Sequence, residues 1–137
     1  LRHLAVAMAR YGAAEQLPDK RVQAVQRLYR AMVCHPFMLA GTGRWCTRAM
    51  EAAAGQFAVK GGAEGVYCAM VPARRLGIAL KIDDGASRAA EALMGLLLTR
   101  YAGLDPELSE KIRKLALPKI LNAVGEKVGE TRPAISP

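Results

Sequence analysis

Aromatic residues are scarce in this sequence: two Phe, four Tyr and one Trp make up 5% of the chain. Proteins that stack nucleic-acid bases interleave aromatics with a basic stripe, and that pattern is missing. Arg2, Arg10, Arg21, Arg27, Arg30, Arg44 and Arg48 are instead spread along helical segments. The net charge of +8 therefore reads as a solvated basic surface or an attraction for acidic substrates, and no nucleic-acid partner is expected. Long apolar runs are missing too. Leu96-Leu97-Leu98 falls far short of the ~20 residues that span a bilayer, so no membrane partner is expected either. Cysteine is limited to Cys34, Cys46 and Cys68, an odd number without CxxC spacing. That excludes a secreted disulfide framework and points to reduced thiols in the cytoplasm. Cys34 and His35 are adjacent, and neighbours on a helix point about 100° apart, so no metal site is expected from residues of this chain. The sequence opens on Leu1 without an initiator Met or a signal pattern, and is expected to be a piece of something longer.

What is present suits a packed domain. Apolar residues reach 52% and charged ones 23% over 137 positions, enough for a real core in a single domain covering 1–137. Leu1, Leu4, Met8 and Tyr11 form one helical stripe, with Gly12 as a stop. Pro18-Asp19 opens a second helix capped by Asp19, whose Val22, Val25, Leu28, Tyr29 and Met32 make a buried face. His35-Pro36 ends it. After the Gly41-Thr42-Gly43 loop comes a shorter helix, about Trp45 to Ala54, closed by Gly55.

From Phe57 onward the period changes. Phe57 and Val59 alternate, Val66 to Val71 is β-prone, and Leu76, Ile78, Leu80 and Ile82 alternate with period two. The reading is a three-stranded antiparallel meander with one buried face. Ser87 to Tyr101 is a strong helix with Ala90, Leu93, Met94, Leu97 and Tyr101 inward, and Asp105-Pro106 starts another that carries Ile112 and Leu115 inward until Pro118. The tail through Asn122, Gly125 and Gly129 is read as a returning edge strand. This is an α+β arrangement, an antiparallel sheet flanked by helices.

Lys60 is the residue most suited to chemistry. It ends a predicted strand and runs into Gly61-Gly62. Glycines let a substrate approach the backbone, a strand edge can donate N–H groups to an oxyanion, and an ammonium can hold a carboxylate or, once desolvated, activate a hydroxyl. An exposed lysine before a turn is the plainer reading of Lys-Gly-Gly alone. Glu64 either holds Lys60 by an ion pair or is an exposed turn carboxylate. Thr42 is a hydroxyl facing a pocket or part of a simple turn. Asp83-Asp84 read as a cap for the helix from Ser87. Arg88 and Glu91 are expected to face solvent, and Cys34 and Cys68 to be packing residues.

Several segments together resemble the Rhizobium etli-type L-asparaginase (asparaginase II) family. They are Met32-Val-Cys-His-Pro36, Ala40-Gly-Thr-Gly-Arg-Trp-Cys-Thr47, Val59-Lys-Gly-Gly-Ala-Glu-Gly-Val66, Leu76-Gly-Ile-Ala-Leu-Lys-Ile-Asp-Asp-Gly85, Ala86 to Ala92 and Gly125 to Pro133. The resemblance implies a serine β-lactamase/penicillin-binding-protein-like fold, present here in part, and hydrolysis of L-asparagine to aspartate and ammonia through an acyl-enzyme. It makes Lys60 the strand lysine that pairs with an active serine. It places Cys46, Gly61, Gly62, Glu64 and Thr42 near the substrate, with Cys46 shaping the pocket rather than attacking; a small buried apolar residue is the plainer reading of Cys46. It also implies a homodimer and a zinc ion in the complete enzyme, with zinc ligands and nucleophilic serines upstream of this chain. No Ser-x-x-Lys occurs here, since Ser87 precedes Ala90 and Ser109 precedes Ile112 by three, and the chain alone is expected to be inactive. Two other readings remain: another Ser/Lys amidase or acyl-transferase of the β-lactamase-like group, and a non-catalytic basic interaction domain.

Overall fold

The computed structural model describes residues 1–132 and 134; the last residue of the resemblance, Pro133, lies outside them. Helices α1 (Arg2–Ala13), α2 (Asp19–Cys34), α3 (Pro36–Ala40) and α4 (Trp45–Ala53) come first. Strands β1 (Ala58–Gly61), β2 (Val66–Val71) and β3 (Leu76–Lys81) follow, then α5 (Ser87–Tyr101) and α6 (Pro106–Ala116), and a hairpin of β4 (Lys119–Leu121) and β5 (Lys127–Glu130). The fold is α+β with small antiparallel sheets flanked by helices.

The meander has the expected order β1-β2-β3, so β1 and β3 are edges. Its register sets Lys60 opposite Cys68 and Gly61 opposite Tyr67 on one side, and Tyr67 opposite Leu80 and Met70 opposite Gly77 on the other. Side chains alternate across a strand. Val59, Tyr67, Ala69, Ile78 and Leu80 therefore share the face that meets α4 and α5, and all five are buried. Met70 and Gly77 lie on the opposite face beneath α1. The approach is close: a Cβ on Gly77 would come within 2.0 Å of the Ala5 carbonyl oxygen, and one on Gly12 within 3.2 Å of the Met70 Cβ.

α5 and α6 pack on each other and on the rest of the core through Ala90, Met94, Leu98, Leu108, Ile112 and Ala116. A Cβ on Gly95 would meet the Ala116 Cβ at 2.2 Å, so the glycine sets how near these helices come. Asp105 caps α6 by accepting from the Leu108 N–H at 2.8 Å, satisfying one of the free donors of its first turn.

Several expectations need correction. α2 has no fully buried residue; only Tyr29, Met32 and Val33 reach the core, and Leu28 and Cys34 are exposed. Cys34 is thus not a packing residue. Pro18 rather than Asp19 is the N-cap of α2, and Asp19 sits in its first turn. α1 continues through Gly12 and ends at Ala14 in the left-handed region. Pro36 begins α3 directly, because proline suits the first position of a helix as well as it ends one. Tyr101 is half-exposed rather than inward. The tail is a two-stranded hairpin of its own, not a strand added to the meander.

Candidate active site

The stretch from Phe57 to Val59 is fully buried, and the strand then emerges at Lys60, which is exposed. Emergence is forced by sequence: an apolar run gives way to a lysine and two glycines at a sheet edge. Alternation puts Lys60 and Cys68 on the α1 face of the meander, at an end where Cys68 is only half-buried. The Lys60 ammonium bends along the strand edge and donates to the Gly61 carbonyl oxygen.

Gly61 faces the other way, over Tyr67. A Cβ there would lie 2.7 Å from the Tyr67 Cζ and 3.0 Å from its hydroxyl oxygen, so only glycine lets the ring lie flat beneath the strand. The ring is fixed on its remaining sides. Trp45, the first residue of α4, meets it edge-on with centroids 6.0 Å apart. Its hydroxyl donates to Glu91 Oε1 on α5 at 3.0 Å.

Cys46 follows Trp45 and is buried against the same group. Burial pushes its thiol pKa up; the Gly61 backbone, the Lys60 charge and the Tyr67 hydroxyl pull in the opposite direction without overcoming it. Cys46 is therefore a neutral thiol, in keeping with a packing or pocket-shaping role rather than a nucleophilic one. Tyr67 is likewise pushed well up, first by burial and then by the acidic groups around it.

Gly62, Glu64 and Thr42 are exposed. Glu64 sits in the β1–β2 turn at a positive φ of 52°, and among the described residues it makes no ion pair with Lys60, which leaves the turn-carboxylate reading. The loop before α4 is tied instead by Thr47, whose Oγ1 donates to the Gly41 carbonyl at 2.7 Å. Asp84 does not cap α5; it accepts from the Ala86 N–H at 2.8 Å in the turn before it, and the helix lacks a side-chain cap. Glu91, expected in solvent, is half-buried and bonded to Tyr67.

Tyr67 and Glu91 are the members of this group that sequence reasoning missed. A signal for Tyr67 existed, because a three-residue turn, 63–65, between Gly62 and Val66 sets position 67 opposite position 61. Glu91 had none, since its bond spans 24 residues.

Compared with known protein families, the chain matches the L-asparaginase II family model over residues 1–133. It belongs to the L-asparaginase II family. Membership suggests a hydrolase of the asparaginase kind and implies asparagine as the substrate. A search of curated proteins gave no match. No helix among the described residues is long and apolar enough to cross a membrane. Nor do three His, Cys, Asp or Glu side chains converge among them as a metal ion requires.

Proposed function

We propose that this chain is the C-terminal part of an L-asparagine amidohydrolase working by Ser/Lys acyl-enzyme chemistry, on a partial β-lactamase-like fold, with Lys60 as its catalytic residue. The family match over residues 1–133 carries the reading. The exposed ammonium of Lys60 at the emerging end of an edge strand supports it.

In this reading a serine from outside the chain attacks the side-chain amide carbon of asparagine. Lys60, neutral as the amine once bound substrate has desolvated it, takes the hydroxyl proton and passes it to the departing nitrogen. Ammonia leaves, an aspartyl ester remains on the serine, and water then adds to the ester to release aspartate and restore the hydroxyl. Cys46, Gly61 and Gly62 shape the wall beside the amide, with Thr42 and Glu64 at its rim. Zinc, where the complete enzyme binds it, is held by residues outside this chain and takes no part in these steps. A homodimer in the cytoplasm completes the proposal, and the three free thiols support a reducing compartment.

The test is ammonia release by the complete protein and its Lys60→Met variant. Proton relay contributes about 10²–10⁴-fold to such reactions, so turnover should fall by that factor while the circular dichroism spectrum is unchanged. Normal ammonia release from the variant would remove Lys60 from the mechanism. Competition by peptides or β-lactams in place of asparagine would favour a different Ser/Lys amidase.

A further inference from the structure

α1 turns one side to the meander. Met8 and Tyr11 pack against the core, and Gly12 lies against Met70. His3, Val6, Ala7 and Arg10 recur at three and four residues and share another stripe, which faces α2. The answering stripe on α2 is Arg21, Ala24 and Val25. Between the two stripes runs a groove of about 490 Å³. Pockets for small molecules span about 300–1,000 Å³, so its size suits a ligand. A second hollow, of about 330 Å³, shares Tyr11 as a wall and continues past Leu28 and Met32. The protein leaves this surface bare: Val6 and Leu28 are half-exposed, and α2 has no fully buried residue.

The charge around the groove has one sign. Arg10 stands in the last turn of α1 and Arg21 in the first turn of α2. Both line the groove, at the end where the short link 14–18 joins the helices. Neither is in an ion pair among the described residues, and among these residues no Asp or Glu lines either hollow. An apolar trough with guanidiniums at one end fits an amphiphile with an anionic head and a hydrocarbon tail. A second copy of the chain fits it poorly. Its own Arg10 and Arg21 would meet these, and a net charge of +8 opposes the pairing.

We propose that the α1–α2 groove binds a medium-chain carboxylic acid, its carboxylate clasped by Arg10 and Arg21 and its chain laid along Val6, Ala7, Ala24 and Val25. Charge-assisted hydrogen bonds, the shorter and stronger kind, hold the head. The tail is held by the apolar surface it removes from water. Neither part suffices alone, because exposed arginines hold a lone anion loosely and an uncharged chain leaves the guanidiniums unused. No residue of the groove belongs to the Lys60 group, so the inference stands apart from the amidohydrolase reading.

Isothermal titration calorimetry of the complete protein with octanoate, acetate, 1-octanol and octylammonium separates head from tail. Octanoate is expected to saturate, with acetate and 1-octanol about tenfold or more weaker and octylammonium weaker than the alcohol. In Arg10→Gln and in Arg21→Gln, octanoate should bind about tenfold more weakly, the usual cost of losing a charge-assisted bond, while 1-octanol keeps its affinity. Both arginines are exposed, so both variants should keep the wild-type circular dichroism spectrum. Ala24 is exposed as well, and Ala24→Trp, which fills the tail channel, should abolish binding of octanoate and 1-octanol alike. No saturation with octanoate, as when another part of the protein already fills the groove, would overturn the proposal. So would acetate binding as tightly as octanoate, equal binding of octanoate, 1-octanol and octylammonium, or an octanoate affinity unchanged in both arginine variants. Self-association abolished by Ala24→Trp, without octanoate binding, would assign the groove to a second copy and overturn it too.

Discussion

Tyr67 ties together three elements: its ring floors Gly61 of β1, meets Trp45 of α4 and hydrogen-bonds Glu91 of α5. A methyl group at position 61 cannot push the ring aside, because both alternatives are occupied. Gly61→Ala should therefore destabilise the protein by about 1–3 kcal/mol, the range for overpacking a filled site, measured as a lowered urea midpoint. Gly62→Ala is the control, since a Cβ there meets its nearest neighbour at an ordinary 3.5 Å. At this scale the sequence was legible where chemistry is local. Lys60 before two glycines announces an emerging strand end, and Asp105-Pro106 announces a helix start. Glu91 was not legible, because its partner lies on another element and charged helix residues mostly face solvent.

Among the elements, α5, α6 and the meander were read with bounds close to those observed, each having a strong period and clear punctuation. The misreading of α2 has a plain cause. A periodic stripe shows that a helix can be buried on one side, not how much protein is there to bury it, and α2 has the stripe without the cover. α1 depends on a single permissive position. Where it crosses β3, Gly77 admits its backbone so closely that any Cβ would strike the Ala5 carbonyl. Gly77→Ala should lift α1 off the sheet and cost about 1–3 kcal/mol or more. Hydrogen exchange would show it as faster exchange across residues 2–13, with α5 and α6 little changed; uniform loss of protection in all helices would contradict a local effect.

For the molecule as a whole, burial raises the pKa of Cys46, Cys68, Tyr11, Tyr29 and Tyr67, with Tyr29 reaching about 12. The folded chain keeps these protons to higher pH than the unfolded chain, whose thiols and phenols ionise near 9.0 and 10.0. The resulting stability is complete below pH about 9 and is lost as pH rises towards 12. Urea midpoints should be level from pH 7 to 8.5 and decline above pH 9. The decline should be shallower in Tyr29→Phe, which also loses the bond to the Gly55 carbonyl at 3.0 Å, worth about 1 kcal/mol. The same architecture sets an order in time. The face that α1 covers is completed only by β3, residues 76–81, so α1 leaves the ribosome long before its resting place exists. Contacts between such distant segments form late and slow folding; until then its apolar stripe stands open to whatever else in the cell binds exposed hydrophobic helices.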